Sequence, residues 1–360
     1  MKIVQSCERR SEANRERRQR TSLGILQTVF FFAAWVIVGT HMPRALGAAV
    51  SQDAKTDVRR HGSEDRDARL QGVEADIDAN KFGETESRLI SYLADHPDSS
   101  RAYYDLGYVQ FRIHKIGPSI KDLSKSLELN PNNAEAHKVL GLNCSIIGRY
   151  DLAEVELLEA ARLKPESAEI HYFLARTYYT KGVYPLAKTE FETAIRLDSS
   201  YIKAYSNLGI TLEALGNTDA ALRNYTTAIQ LEERRKPKSE WPYIYLSAFY
   251  NRQKNATEAL VYAQKAMEIN SASDTVYFEI AKAYRTQKQL QKAVEAARSA
   301  IAINSQVPDY YYVMGLVLRE LGNQQESEDA LEKYAQLQQH SNVALPEHKT
   351  EEPLIAPELH

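Results

Sequence analysis

Two stretches of this 360-residue sequence repeat one pattern. Residues 140–165 read LGLNCSIIGRYDLAEVELLEAARLKP, and residues 174–199 read LARTYYTKGVYPLAKTEFETAIRLDS. Each stretch opens with a leucine and a small residue, continues to a glycine, and then contains two alanines seven positions apart. The interval between Leu140 and Leu174, where the two stretches begin, is a repeat length typical of helix–turn–helix units.

The same register continues on both sides of these stretches. Each repeat has a large apolar residue followed by a small one, and the interval is constant except for a longer one between Leu208 and Leu246. These pairs are Leu106-Gly107, Leu140-Gly141, Leu174-Ala175, Leu208-Gly209, Leu246-Ser247, Ile280-Ala281 and Met314-Gly315. A second small residue recurs at Ser119, Ala153, Ala187, Ala221, Ala259, Ala293 and Ser327. Because small side chains let two helices approach closely where they cross, we predict one helical hairpin per repeat.

Turn residues divide the repeats into helices. A glycine falls at the same position in four repeats, where it lets the chain leave the first helix in a left-handed conformation. These glycines are Gly148, Gly182, Gly216 and Gly322. A proline is expected to stop the second helix of the early repeats, at Pro97, Pro131 and Pro165. One hairpin cannot bury its apolar face alone, so neighbouring repeats are expected to stack into a continuous core.

These residues resemble the tetratricopeptide repeat family, whose pattern combines Leu-Gly, aromatic residues, two alanines and a terminal proline. The third repeat fits this pattern at Leu140, Gly141, Tyr150, Ala153, Leu157, Ala160 and Pro165. The resemblance implies an all-α fold, a right-handed superhelical solenoid of about eight helix–turn–helix units over residues 66–340. It also implies that the first helices line a concave groove that binds segments of other proteins.

Composition excludes several classes of protein. The chain has 26% charged residues and a net charge of -3, without the basic excess of a nucleic-acid-binding protein or the apolar bulk of a multi-span membrane protein. Its two cysteines cannot form a disulfide framework or a self-contained structural zinc site.

The two ends of the chain differ from the repeats. Residues 1–49 are predicted to be a signal peptide or a signal anchor, because a basic start precedes an apolar run at residues 23–38 and small residues follow it. That run is long for a signal and short for a membrane span, so both interpretations stay open. We expect an exported, periplasmic or extracytoplasmic protein, or alternatively one anchored in the inner membrane through residues 23–38. Residues 50–65 are predicted to be a flexible linker, and residues 341–360 a disordered tail.

No set of residues converges as a catalytic centre would require, so we expect no enzyme activity, no cofactor and no metal site. His137 and His171 are separated by one repeat, but two histidines make a poor metal site, and we expect no carboxylate of matching spacing. Both occupy positions of a packing aromatic in the family, which favours a role in the core. Cys144 is likewise predicted to be a buried small hydrophobe rather than a nucleophile.

The candidate binding residues lie on the first helices, spaced three or four apart and off the packing face. They are Tyr104, Tyr108, Lys138, Tyr172, Arg176, Tyr179, Lys203, Trp241, Phe278, Lys282 and Tyr312. Tyrosine, tryptophan and arginine are enriched at the hot spots of protein interfaces. The alternative is that the tyrosines complete the packing between repeats.

The expected function is a non-catalytic scaffold that holds extended or helical segments of other proteins, in envelope assembly or secretion, without a nucleic-acid partner. The alternative is an adaptor or regulatory subunit that positions a separate enzyme or its substrate.

Overall fold

A computed structural model of the chain describes residue 70 and residues 72–343. Every regular element in this part of the chain is an α-helix, so the all-α prediction is confirmed. The predicted signal or anchor at 1–49, the predicted linker at 50–65 and residues 344–360 of the predicted tail lie outside the described residues. The last described helix runs to Val343, past residue 340 where the repeat array was predicted to end.

The described residues form sixteen helices, which pair into consecutive hairpins. In chain order the helices are α1 Val73–Asp78, α2 Phe82–Asp95, α3 Ser100–Arg112, α4 Ile116–Leu129, α5 Ala134–Ile146, α6 Tyr150–Leu163, α7 Ala168–Thr180, α8 Tyr184–Leu197, α9 Ile202–Ala214, α10 Thr218–Glu232, α11 Trp241–Arg252, α12 Ala256–Ile269, α13 Asp274–Thr286, α14 Leu290–Ile303, α15 Pro308–Leu321 and α16 Gln324–Val343.

The helices fall into two compact units. The first unit comprises the residues up to Ser145 together with Arg149–Pro165, and so contains α1–α4, α6 and nearly all of α5. The second unit comprises Ile146–Gly148 and the residues from Glu166 onward, and so contains α7–α16. Within the second unit each helix packs on the next one, and the first helices of successive hairpins also contact each other.

Small residues lie where the two helices of a hairpin cross, as predicted. A Cβ atom added to Gly141 in α5 would lie 2.8 Å from the Leu157 side chain of α6, and one added to Gly315 in α15 would lie 2.8 Å from that of Leu331. Ala153 and Ala160, which share one face of α6, are fully buried. These contacts confirm that the small residues permit the close approach of the helices.

The turn inside each described hairpin uses one residue in the left-handed conformation. The four predicted glycines adopt it, with φ between 70° at Gly148 and 84° at Gly322. The remaining hairpins place a non-glycine residue there, with φ of 58° or 59°, at Asn80, His114, Lys254 and Lys288. The turn geometry is therefore common to these hairpins, although glycine marks it in only half of them.

The helix ends follow from local side-chain chemistry. Ser99 and Ser167 cap α3 and α7, because their hydroxyls accept hydrogen bonds from the exposed N–H groups of the first turn. Helices α2, α4 and α6 end two residues before Pro97, Pro131 and Pro165, as the prolines predicted. These boundaries set the length of each hairpin and thereby place equivalent residues on one side of the first helices.

Candidate protein-binding face

Polar side chains join successive first helices of the second unit. Arg252 of α11 binds the carboxylate of Glu213 in α9 with two hydrogen bonds, of 2.6 Å from Nη2 and 3.1 Å from Nε. The Nδ2 group of Asn251 in α11 donates to the carbonyl oxygen of Glu279 in α13, at 2.9 Å, and to its Oε2 atom, at 2.7 Å. These bonds place α9, α11 and α13 side by side with the same face presented.

The row of bonds continues at the end of the array. The Nε group of Arg285 in α13 donates to Oε1 of Glu320 in α15 at 2.8 Å, and Lys288 Nζ donates to Oε2 at 2.9 Å. Hydrogen bonds from Lys288 and Arg285 lower the pKa of Glu320. Glu213, Asn251 and Arg285 hold equivalent positions in three successive repeats. We name the side of α9, α11, α13 and α15 that carries these residues the first-helix face.

Four predicted binding residues belong to this stretch of the second unit. Lys282 Nζ lies 4.6 Å from the centre of the Phe278 ring and 2.6 Å from the carboxylate of the buried Glu279. Tyr312 is 43% exposed, and its ring lies 5.2 Å from that of Tyr334. Trp241 is half-buried at the start of α11. Aromatic surface and a cation thus occur together on α13, a combination favoured at protein interfaces.

The other predicted residues of the second unit are less accessible. Tyr172 and Tyr179 are buried, and the Tyr172 ring packs 5.0 Å from that of Tyr201. The guanidinium of Arg176 lies 5.6 Å from the centre of the Tyr172 ring. Lys203 is half-buried at the start of α9. In this region packing between repeats occupies much of the aromatic surface.

The remaining three predicted residues lie in the first unit. Tyr104 and Tyr108 of α3 are half-buried and stack at 6.3 Å. Lys138 Nζ binds Glu135 at 2.7 Å, and Lys164 binds the same carboxylate at 2.9 Å. Burial opposes the charge of Glu135, but the two lysines outweigh it and lower the pKa of its carboxyl group. Because these three residues belong to the other unit, they are not part of the first-helix face.

Sequence reasoning missed the partners that connect the first helices. Glu279, Glu320 and Arg252 were not selected, although each lies on a first helix and Glu279 is adjacent to the selected Phe278. What the sequence shows at these three positions is a charged residue close to the apolar residues of the packing face. The choice of partner across two helices depends on side-chain distances that residue spacing does not contain.

Each of the two histidines pairs with a carboxylate of its own hairpin. His137 Nδ1 lies 2.6 Å from Glu156 Oε2, and its Nε2 lies 3.1 Å from the carbonyl oxygen of Pro131. His171 Nδ1 lies 2.6 Å from Glu190 Oε2. The expectation that no carboxylate shares the histidine spacing is wrong, because Glu156 and Glu190 are separated by the same interval as the two histidines.

Burial of these groups agrees with the predicted core roles. His137 and Cys144 are buried, as predicted, whereas His171 is half-buried. Within the described residues no cluster of three or more histidine, cysteine or acidic side chains could hold a metal ion. None of the helices described here combines the length and apolar character needed to cross a membrane.

The fold and its repeated hairpins define a helical repeat protein, and family comparisons identify the type of repeat. Residues 147–202 and residues 202–235 each match a tetratricopeptide repeat family. Residues 252–334 match the family described as anaphase-promoting complex, cyclosome, subunit 3. Residues 147–235 therefore carry tetratricopeptide repeats, which support a role as a protein-interaction scaffold.

Solved structures share the fold. A chain of the APC/C hetero-tetramer Cut9-Hcn1 is 16% identical, with a TM-score of 0.59 over 73% of this chain and 52% of that chain. A tetratricopeptide repeat protein from Parabacteroides merdae ATCC 43184 is also 16% identical, with a TM-score of 0.59 over 69% of this chain and 97% of that chain. This chain thus matches about half of the Cut9-Hcn1 chain, and the likeness concerns the fold alone. No curated protein sequence matches this chain significantly.

Proposed function

We propose that the chain is a non-catalytic scaffold that binds a segment of another protein along the first-helix face of its second unit. The observation that carries this proposal is the row of bonds from Glu213 through Asn251 to Arg285, which holds the first helices in register. A face fixed in this way binds without first having to order its own side chains, which lowers the entropic cost of association.

The aromatic and cationic side chains of the face favour a bound segment that has both apolar and acidic residues. Phe278 and Tyr312 offer aromatic surface, and Lys282 and Arg285 offer cations that carboxylates hold in place. A segment with apolar side chains and at least one acidic group would satisfy both kinds of contact. Tyr172 and Tyr179 lie on α7, outside the first-helix face, and both are buried.

Site-specific photo-crosslinking tests the position of the partner. A photoreactive phenylalanine analogue at position 312 should crosslink to a bound protein, whereas the same residue at position 261 should not. Val261 is a suitable control because it is an exposed apolar residue on the second helix α12. Equal crosslinking from both positions, or crosslinking from 261 alone, would contradict the proposed face.

A set of three substitutions tests the energetic role of the face. Trp241→Ala, Phe278→Ala and Tyr312→Ala combined should weaken partner capture by about ten-fold or more, since each hot-spot truncation costs ~1 kcal/mol or more. The matched control combines Leu186→Ala, Val261→Ala and Ile303→Ala, which remove exposed apolar side chains from second helices. Circular dichroism must show unchanged helicity in both sets, and an equal loss of binding in the control set would refute the proposal.

The proposed setting is envelope assembly or secretion, and its support is the sequence of residues 1–49 alone. If these residues direct export, the protein recovered from the extracytoplasmic fraction should begin near Val50 or remain membrane-bound with Met1 intact. N-terminal sequencing distinguishes the two forms. Recovery of an intact, unanchored chain from the cytoplasm would overturn this part of the proposal.

A second candidate function is that of an adaptor subunit that positions a separate enzyme or its substrate. The match of residues 252–334 to a family named for a subunit of a multi-protein complex favours it. Purification of the complex at native expression levels should then recover a catalytic chain in fixed stoichiometry. Recovery of non-catalytic partners alone would favour the scaffold.

A further inference from the structure

The first unit contains an open cavity of about 510 Å³ between α2, α3 and α4. Its walls are largely apolar and include Ile90 and Leu93 of α2, Leu106 of α3 and Pro118 of α4. Ile90 lies at its edge with 54% of its surface exposed. A volume of this size with apolar walls is typical of sites that take small organic groups.

Two polar groups with acceptor capacity line the same cavity. Gln110 of α3 is only 5% exposed, and its Oε1 atom has no hydrogen-bond partner among the described residues. Asp122 of α4 is also buried, and its carboxyl group accepts a hydrogen bond from Gln110. A buried acceptor without a donor costs free energy, so this arrangement favours a ligand that supplies N–H groups.

Comparison with the next two repeats shows that Asp122 lacks a partner that its equivalents have. Glu156 and Glu190 occupy the position of Asp122 in those repeats, and each contacts a histidine of its own hairpin at 2.6 Å. The residue equivalent to those histidines in the hairpin of Asp122 is Tyr103, whose phenol cannot carry a positive charge. The Asp122 carboxyl group therefore has no imidazole partner of the kind that Glu156 and Glu190 have.

The charged groups around Asp122 do not supply the pairing that a histidine gives to the equivalent carboxylates. Burial raises the pKa of the Asp122 carboxyl group, while the hydrogen bond from Gln110 and the charge of Lys121 act in the opposite direction. Glu86 of α2 also raises this pKa, and its own carboxylate is bound by Lys115 at 2.7 Å. Lys121 also lines the cavity, but it is exposed, so its ammonium group remains in contact with water.

We propose that this cavity, formed by Ile90, Leu93, Leu106, Gln110, Pro118 and Asp122, binds an ammonium group carried on an apolar chain. The ammonium group donates to the Asp122 carboxylate and to Oε1 of Gln110, and the chain packs against the leucine and isoleucine side chains. An ammonium group suits two acceptors because it has three N–H donors. The site is independent of the first-helix face and does not rest on the function proposed for it.

Isothermal titration calorimetry with n-octylammonium chloride tests the site on the full chain. We expect saturable binding, and binding of n-octanol weaker by about ten-fold or more, since a hydrogen bond to a charged group is stronger than one between neutral groups. Sodium octanoate should not bind. Equal affinity for the amine and the alcohol would overturn the proposal.

Two variants with matched controls locate the binding. Asp122→Asn should reduce the affinity for n-octylammonium by about ten-fold, whereas Glu128→Gln, an exposed carboxylate on the same helix, should leave it unchanged. Ile90→Lys should weaken binding about three-fold through charge repulsion at an exposed position, and Leu186→Lys on α8 should have no effect. Unchanged affinity in both Asp122→Asn and Ile90→Lys would refute the site even if the amine binds elsewhere.

The ammonium group could be supplied by a free amphiphilic amine or by a lysine side chain of another protein. Titration with a short lysine-containing peptide, beside n-octylammonium, distinguishes the two sources. Binding of either probe that is lost in Asp122→Asn supports the site. Failure of both probes overturns it, and neither result alters the test of the first-helix face.

Discussion

Gly209 of α9 faces the ring of Tyr225 of α10 so closely that a Cβ atom on Gly209 would lie 2.6 Å from a ring carbon. Tyr225 is fully buried, and its hydroxyl donates to Glu213 Oε2 at 2.7 Å. Glu213 in turn accepts the hydrogen bonds of Arg252. A tight helix crossing in the second unit is thus connected to the first-helix face through one carboxylate.

Gly209→Ala should lower the free energy of unfolding by about 1–3 kcal/mol, because the buried ring cannot move away without losing its bond to Glu213. This loss exceeds the ~0.5–1 kcal/mol that alanine contributes over glycine inside a helix. Urea denaturation measures the difference. The control is Gly83→Ala, where no atom lies within 4 Å of the new Cβ and a small gain in stability is expected. A gain in both variants would show that the crossing tolerates a methyl group.

Gly182→Ala isolates the cost of backbone conformation. Gly182 has φ of 74°, and no atom lies within 4 Å of a Cβ built on it. The expected loss of about 1 kcal/mol therefore comes from the left-handed conformation alone. Thermal unfolding should show a lower Tm with an unchanged circular-dichroism spectrum. An unchanged Tm would mean that the turn accommodates a side chain at no cost. A non-glycine residue, Lys254, occupies the left-handed position of another hairpin with φ of 59°.

Glu156→Ala should destabilise the first unit by about 1–3 kcal/mol, because it leaves Nδ1 of the buried His137 ring without its hydrogen-bond partner. The control is Glu159→Ala, which removes a carboxylate from a surface pair with Arg162 at 2.7 Å and should cost less than ~1 kcal/mol. Urea denaturation of Glu156→Ala, His137→Phe and the double variant completes a double-mutant cycle. Additive effects of the Glu156 and His137 substitutions would show that the pair contributes no coupling energy.

The decrease in the free energy of unfolding at acidic pH should depend on Glu135. Burial is the largest influence on this group and opposes its charge, but Lys138 and Lys164 together lower the pKa of its carboxyl group below the ordinary value of 4.5. A lowered folded-state pKa contributes stability above the unfolded pKa, and this stability is lost as the pH falls through the folded pKa. Glu135→Gln should therefore be less stable than the parent at neutral pH, and the difference in urea denaturation should shrink on acidification.

Asp309→Asn should change the stability at neutral pH in the opposite direction to Glu135→Gln. Burial raises the pKa of the Asp309 carboxyl group above 3.8, against the opposing charge of Lys282. A raised folded-state pKa means that stability is lost as the pH rises through it, so the neutral amide should be more stable than the parent at neutral pH. Parallel pH dependence of unfolding in the two variants would contradict these assignments.

The hairpin repeat could be predicted from single residues because its causes are local. Gly141 and Ala153 reveal a close helix crossing, Gly182 reveals a left-handed turn, and Pro165 reveals a helix end. The same reasoning did not identify the left-handed turns at His114 and Lys288, because a non-glycine residue carries no signal of that conformation in the sequence. It also placed Tyr172 and Tyr179 among the candidate contacts, and both side chains are buried.

The periodic order of small, apolar and turn residues was therefore sufficient to establish paired helices, their approximate lengths and the residues at their crossings. It did so because helix geometry repeats identically along the backbone. The pairing of Asn251 with Glu279, the pairing of His137 with Glu156, and the cavity beside Asp122 emerged only once the helices were packed together. These features depend on distances between side chains of different helices, which a spacing along the sequence does not specify.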